Sequence, residues 1–329
     1  MTKTNQQKVK DFLINNGVII VMFILVIYTG FTSDNFFTKN NFMNILMNMS
    51  SRLVIALGIA GCVITAGCDL SAGRMIGFGA CISGMLLQRM DYSGKFFPDM
   101  QPLNVFVVAL IAMLVCAAFG TVTGFFIAYL NVPPFIATLA MMEIVYGIGL
   151  IVTNATPLGG YVEQYTNVSN GKFLGINYLI WIAIIVAAIT WFIFNMTRHG
   201  KYMYAIGGNP QAAEVAGVPV KLTLILIYMK AAAMYGLAGF MLGAKSGGAS
   251  VQLGYGYEME AIAACTIGGV SVTGGRGKVS SAFVGVAVFE LLKIALQYMG
   301  VNANAQYIAI GVVIFVAISL DIRKYVAKK

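Results

Sequence analysis

The residues that could do chemistry in this chain are ionisable groups set inside apolar runs. Asp69 and Ser71 sit in GCDLSAGR, between two short glycine-rich segments, Leu53–Ala66 and Met75–Gln88. Glu143 and Lys230 each stand alone in a long apolar stretch, so a bridge between them, or a place on a polar path, is open to both. Glu290 and Lys293 are three apart on one helical face and are expected to neutralise each other. Glu258 and Glu260 follow Tyr255 and Tyr257, a mixture suited to hydrogen-bonding and stacking a sugar. An aromatic belt at a membrane interface gives the same pattern, as capping by Asp69 and Ser71 gives the hinge pattern. Ionisable groups in apolar spans are costly and call for a partner or a cavity.

Enzyme signatures are missing. One histidine, His199, excludes His-based catalysis and His metal clusters. The five cysteines lie mostly in apolar stretches with no C-x-x-C pair, and read as small buried hydrophobes, with no disulfide frame and no metal site. Gly277-Lys278 is followed by Val279 and preceded at the required spacing by Val272, so no phosphate loop forms there. The chain therefore carries no ATP-binding motif of its own and should bind no cofactor.

The elements that must position these groups are membrane spans. Of 329 residues, 59% are hydrophobic and 10% charged, against roughly 25% charged in soluble domains. The net charge of +9 is not a nucleic-acid patch; Lys and Arg cluster beside apolar runs. The start, MTKTNQQKVKDFLINNG, leads into a retained first span with no cleavage pattern. Ten spans are predicted: Phe12–Thr32, Leu53–Ala66, Met75–Gln88, Leu103–Asn131, Phe135–Thr153, Asn177–Asn195, Thr223–Ala244, Glu258–Thr273, Val279–Tyr298 and Asn304–Leu320. Residues 33–52 read as a polar connection with a short interfacial helix around Phe42–Met49. With both termini inside, thirteen Lys and Arg fall on inner loops, Arg74 among them, and six on outer loops and borders, Arg52 among them. Two short glycine-interrupted segments around a polar turn suggest a broken helix facing a cavity. Ile59-x-Gly61-x3-Thr65-x-Gly67 recurs as Ile267-x-Gly269-x3-Thr273-x-Gly275, a faint internal repeat.

Between two spans lies the polar interval 201–220, KYMYAIGGNPQAAEVAGVPV. Asn209 suits an N-cap, Pro210 the first helical position, and Gly217 with Pro219 the stop. A two-turn helix outside the membrane is too short to be stable alone, so something should dock on it.

The motifs IALGIAGCVITAGCDLSAGR, LLQRMDYSGKFFPDM, IAYLNVPPFIATL, AIGGNPQAAEVAGV, YEMEAIAACTIGGVSVTGG and DIRKYVAKK run across nearly the whole chain. Together they resemble the permease subunits of sugar-importing ABC systems, in particular the galactose/methyl-galactoside branch, with the ribose branch more distant. The resemblance implies an all-α polytopic fold, a single transmembrane domain over 1–329 with broken helices and a cytoplasmic coupling helix, of the type II-like importer class. It implies a homodimer in the bacterial inner membrane and a cytoplasmic ATPase of two fused nucleotide-binding domains that holds the ATP and Mg. It also implies a periplasmic or lipid-anchored sugar-binding protein. The ATPase-coupling role carries over onto Gly208, Asn209, Ala212, Ala213 and Gly217; Ala216 stands where many relatives have Ser. Asp69, Ser71, Glu143, Glu258 and Tyr255 are the candidates for the substrate path. Ribose, xylose or nucleosides are alternative cargoes, and a gradient-driven transporter using Glu143 or Asp69 as proton relay is the alternative class.

Overall fold

The computed structural model of the chain describes residues 5–33 and 35–326. The terminal residues used in the orientation count, Lys3, Lys328 and Lys329, lie outside these. The described residues form thirteen helices and one two-stranded hairpin: α1 (Asn5–Thr32), α2 (Lys39–Ile64), α3 (Ala72–Leu86), α4 (Val105–Tyr129), α5 (Pro134–Thr153), α6 (Glu163–Asn170), β1 (Lys172–Phe173), β2 (Ile176–Asn177), α7 (Tyr178–Met196), α8 (Arg198–Gly208), α9 (Pro210–Val215), α10 (Val220–Ser246), α11 (Tyr257–Gly268), α12 (Val279–Tyr298) and α13 (Ala303–Val326). Six of them, α2, α4, α5, α7, α10 and α12, are long and apolar enough to cross a membrane. The other four predicted spans correspond to α1, α3, α11 and α13.

Helix starts follow from capping chemistry. Asn104 Oδ1 accepts from Phe106 N at 2.9 Å to open α4, and Asn177 Oδ1 accepts from Leu179 N at 2.8 Å to open α7. Thr38 opens α2 in the same way, accepting from Asn41 N at 3.3 Å. Gly247, with φ 68°, ends α10 in the left-handed region where a Cβ would be strained.

The core is α10 with α4, α3 and α2 packed around it. From Val54 to Ile64 every residue of α2 is buried. Small residues bring the backbones together: a Cβ on Gly79 of α3 would stand 2.9 Å from the Gly236 Cα of α10. In lipid, such close packing replaces the hydrophobic drive that assembles helices in water.

Two expectations are corrected here. Phe42–Met49 is not a separate interfacial helix; capped at Thr38, α2 runs unbroken through it to Ile64. Asn41 gives the reason, because its Nδ2 donates to the Phe36 carbonyl at 2.7 Å, so a polar residue in this stretch is satisfied inside the fold. Arg52 and Arg74 are consequently not loop charges: Arg52 lies within α2 and Arg74 in the first turn of α3.

The chain has two ends. On one face lie α8, α9, the C-terminal end of α2 and the loop 269–278. On the other lie α6, the hairpin and the loop 88–103, tied together where Val162 N donates to the Leu87 carbonyl at 2.9 Å. The segment 65–71 between α2 and α3 does not reach the first face in full. The Tyr228 hydroxyl donates to the Cys68 carbonyl at 3.4 Å, and Tyr228 stands eight residues into α10, about 12 Å along it. At 15 residues α3 is about 22 Å long, and the 12-residue α11 about 18 Å, both short of a ~30 Å hydrocarbon layer.

Candidate functional site

The helix α9 is built as its residues dictate. Asn209 Oδ1 accepts from Ala212 N at 2.9 Å, and Pro210 occupies the first helical position, where a missing N–H costs nothing. At the other end Val218 N donates to the Ala213 carbonyl and Gly217 N to the Glu214 carbonyl, each at 3.0 Å, with Gly217 at φ 81°. That is a Schellman closure, so both termini of a six-residue helix are satisfied.

Of the five residues assigned to docking, Gly208, Asn209, Ala212 and Gly217 are exposed. Ala213 faces inward and is buried. A Cβ on Gly208 would meet nothing within 4 Å. The residue missed by sequence reasoning is Val215, 91% exposed although apolar, on an element outside the long apolar helices. Its signal was available: it is the one large aliphatic residue of a helix whose other members are Pro, Gln, Ala and Glu.

Behind α9 the chain is tightly knitted. Gly275 N donates to the Ile64 carbonyl at 2.8 Å, and the Tyr204 hydroxyl donates to the Gly277 carbonyl at 2.8 Å. A Cβ on Gly207 would overlap the Ile64 carbonyl oxygen. The end of α8 is thus clamped onto the end of α2 and onto loop 269–278, and the two copies of the internal repeat meet there. Burial and the positive charge of Lys230 lower the His199 pKa to about 4, so this imidazole is neutral at physiological pH.

The second grouping lies around the start of α3. Asp69 and Ser71 are buried, and Asp69 Oδ1 accepts from Ser71 N at 3.0 Å and from Ser71 Oγ at 2.6 Å. The carboxylate therefore holds the turn; Ser71 is the N-cap residue of α3 but makes no side-chain capping bond. Glu258 is buried against Gly73, and its Oε2 has no hydrogen-bond partner. Tyr255 is 64% exposed. Glu143 is exposed on α5. Sequence reasoning counted Arg74 only as a loop charge, yet its guanidinium lies 4.0 Å from the Tyr146 ring centroid and 4.5 Å from that of Tyr255.

One pairing that the sequence left open and one that it led us to expect are not formed. Among the described residues no ion pair joins Glu143 to Lys230; the Lys230 ammonium has no hydrogen-bond partner and lies 4.6 Å from the Phe194 ring centroid. Glu290 does not pair with Lys293. Arg52 Nε stands 2.9 Å from Glu290 Oε2, Arg52 Nη1 also contacts Glu260, and Lys293 Nζ meets Glu260 Oε1 at 2.6 Å. Partners on α2 and α11 won over the neighbour on the same helix.

A family model described as "Branched-chain amino acid transport system / permease component" matches residues 41–318. The chain belongs to this family of transport permeases. It is 40% identical over 336 residues to the galactose/methyl galactoside import permease protein MglC of Escherichia coli, covering the whole of both chains. To the Haemophilus influenzae protein of that name it is 41% identical, again over both full lengths. It is 32% identical to the ribose import permease protein RbsC of Escherichia coli, with 96% of each chain covered. No solved structure matches the chain. As a member of this family the protein is a multi-pass membrane transport subunit.

Proposed function

We propose that this chain is the membrane-spanning permease of an ATP-driven importer, and that its cargo is galactose or a related hexoside. The observation that carries the cargo is the 40% identity over the full length to galactose/methyl galactoside permeases, against 32% to a ribose permease. The family model's amino-acid wording describes a broader group than these full-length relatives. The whole chain acts as one domain, and two copies form the passage. The face bearing exposed Glu143 on α5 supports this, since a carboxylate amid an apolar span is too costly to leave in lipid.

Energy arrives from outside the chain. A cytoplasmic ATPase with two fused nucleotide-binding domains carries ATP and Mg, and docks on α9 through Val215, Ala212 and the Gly208–Asn209 edge. Closure of those domains pushes on α9, and the clamp at Gly207, Ile64 and Gly275 passes the push to α2 and loop 269–278. A binding protein outside the inner membrane delivers the sugar. The orientation that follows puts α9 and both termini in the cytoplasm.

Reconstitution of the chain with its ATPase and binding protein in proteoliposomes tests the reading. ATP-dependent galactose uptake is expected, and Gly208→Trp should insert normally but lose it, because the added ring meets open space in the permease and blocks the docking edge. Proton-driven uptake by the chain alone would replace this reading with a secondary transporter.

A further inference from the structure

Arg74 occupies an unusual place for a charged side chain. It sits in the first turn of α3, which begins part-way into the membrane layer, where an arginine facing lipid is strongly disfavoured. It is nevertheless half-buried, and the groups around it are open: Gln252 is exposed and Tyr255 is 64% exposed. The surface they share must then face water or the second copy.

The arrangement around Arg74 is fixed from three elements. The Tyr146 ring of α5 and the Tyr255 ring of the loop before α11 lie 4.0 and 4.5 Å from the guanidinium carbon. Arg74 Nη1 donates to Gln252 Oε1 at 2.7 Å, and Gln252 Nε2 donates to the Tyr146 hydroxyl at 2.8 Å. That hydroxyl, already an acceptor, keeps its own proton to donate. The guanidinium carries five N–H donors, and Arg74 Nε is buried with no partner among the described residues. Glu258 lies behind, against Gly73.

We infer that Arg74, Tyr146, Gln252 and Tyr255 form a recognition station for the transported sugar inside the permease, with Arg74 as the residue that discriminates among hexoses. The guanidinium is oriented by its hydrogen bond to Gln252 and stacked by two rings, so its free edge presents donors in one plane. That edge matches a pair of neighbouring hydroxyls on a pyranose, and the rims of the two tyrosines match its C–H face. The inference rests on the sugar-importer reading above.

The test uses the complete complex in proteoliposomes, with the binding protein saturated by D-galactose or by single deoxy-galactoses. Three permeases are compared: unaltered, Arg74→Lys, and Gln252→Ala, an exposed change that leaves the core untouched. Both variants should assemble and keep ATPase activity stimulated by the loaded binding protein. Galactose uptake should fall about tenfold for Arg74→Lys, the loss of a charge-assisted bond. The difference between galactose and one deoxy-galactose, seen with the unaltered permease, should shrink in both variants. Normal import by the unaltered complex with unchanged rates and discrimination in both variants would overturn the station alone. Equal losses for every sugar would overturn it too, because they mark a structural role. No ATP-dependent galactose import by the unaltered complex would instead remove the importer reading on which it stands.

Discussion

Two sets of intramembrane charges divide the molecule, and they differ in how completely they are matched. Arg52, Glu260, Glu290 and Lys293 join α2, α11 and α12 in a continuous series of ion pairs, all largely buried. Arg74 is half-buried, Glu143 and Tyr255 are exposed, and neither Arg74 nor Glu143 takes part in an ion pair among the described residues. The matched set is what a membrane helix bundle needs to hold three elements in register. The open set lacks a countercharge: Arg74 is held by a hydrogen bond to Gln252 and by the Tyr146 and Tyr255 rings, and this is the set we propose for the cargo. Degree of pairing, more than charge itself, distinguishes the two sets.

Breaking the matched set should have the largest effect. Glu260→Ala leaves Arg52 and Lys293 short of a partner and is expected to destabilise the fold by about 3–5 kcal/mol, the range for breaking a buried ion pair. The measurement is the yield of monodisperse protein in detergent and its thermal midpoint. A normal midpoint would mean that the matched set is not scaffold. Glu143→Gln sharpens the other side: stability should move by less than about 0.5 kcal/mol, as at other exposed positions, while uptake by the reconstituted complex drops. Unchanged uptake would take Glu143 off the path.

Asp69→Asn should fall between the two in its effect on stability. An amide oxygen can still accept from Ser71 N and Ser71 Oγ, so only the charge assistance is lost, about 1 kcal/mol in thermal denaturation. A collapse of transport with intact stability would move Asp69 from hinge to path. His199 gives an effect that appears only as pH falls. Its lowered pKa means that the unfolded chain binds its proton more readily, so its contribution is complete above about pH 6.5 and declines as pH falls towards 4. The midpoint of the native protein should drop slightly more than that of His199→Gln between pH 7 and 5, and equal drops would show that His199 is not the group titrating.

Much of this was legible in the residues themselves. The caps of α9 at Asn209 and Gly217 depend on neighbours in sequence, so the local chemistry decided them. The hinge around Asp69 was readable for the same reason, since glycine interruptions and a short polar turn are local signals. What was not legible depended on partners far along the chain. Glu290 and Lys293 sit one turn apart, yet Arg52 and Glu260, over thirty residues or more away, took their charges. The stretch 39–52 looked polar enough to be a loop, and only the fold shows Asn41 bonded to Phe36 and Arg52 paired inside the bundle. Arg74 read as a loop charge because the loop 247–256 that meets it lies 177 residues away. Exposure is likewise invisible in sequence: Ala213 was expected outward and is buried, whereas Val215 was not singled out and is open.

The coupling role of α9 is tested most directly by a single cysteine at Val215 in a background without the native cysteines, probed with a membrane-impermeant maleimide. Labelling should occur only when the cytoplasmic face is open to the reagent, and adding the partner ATPase should protect the site. Labelling from outside in intact cells, or full reactivity with the ATPase bound, would contradict it.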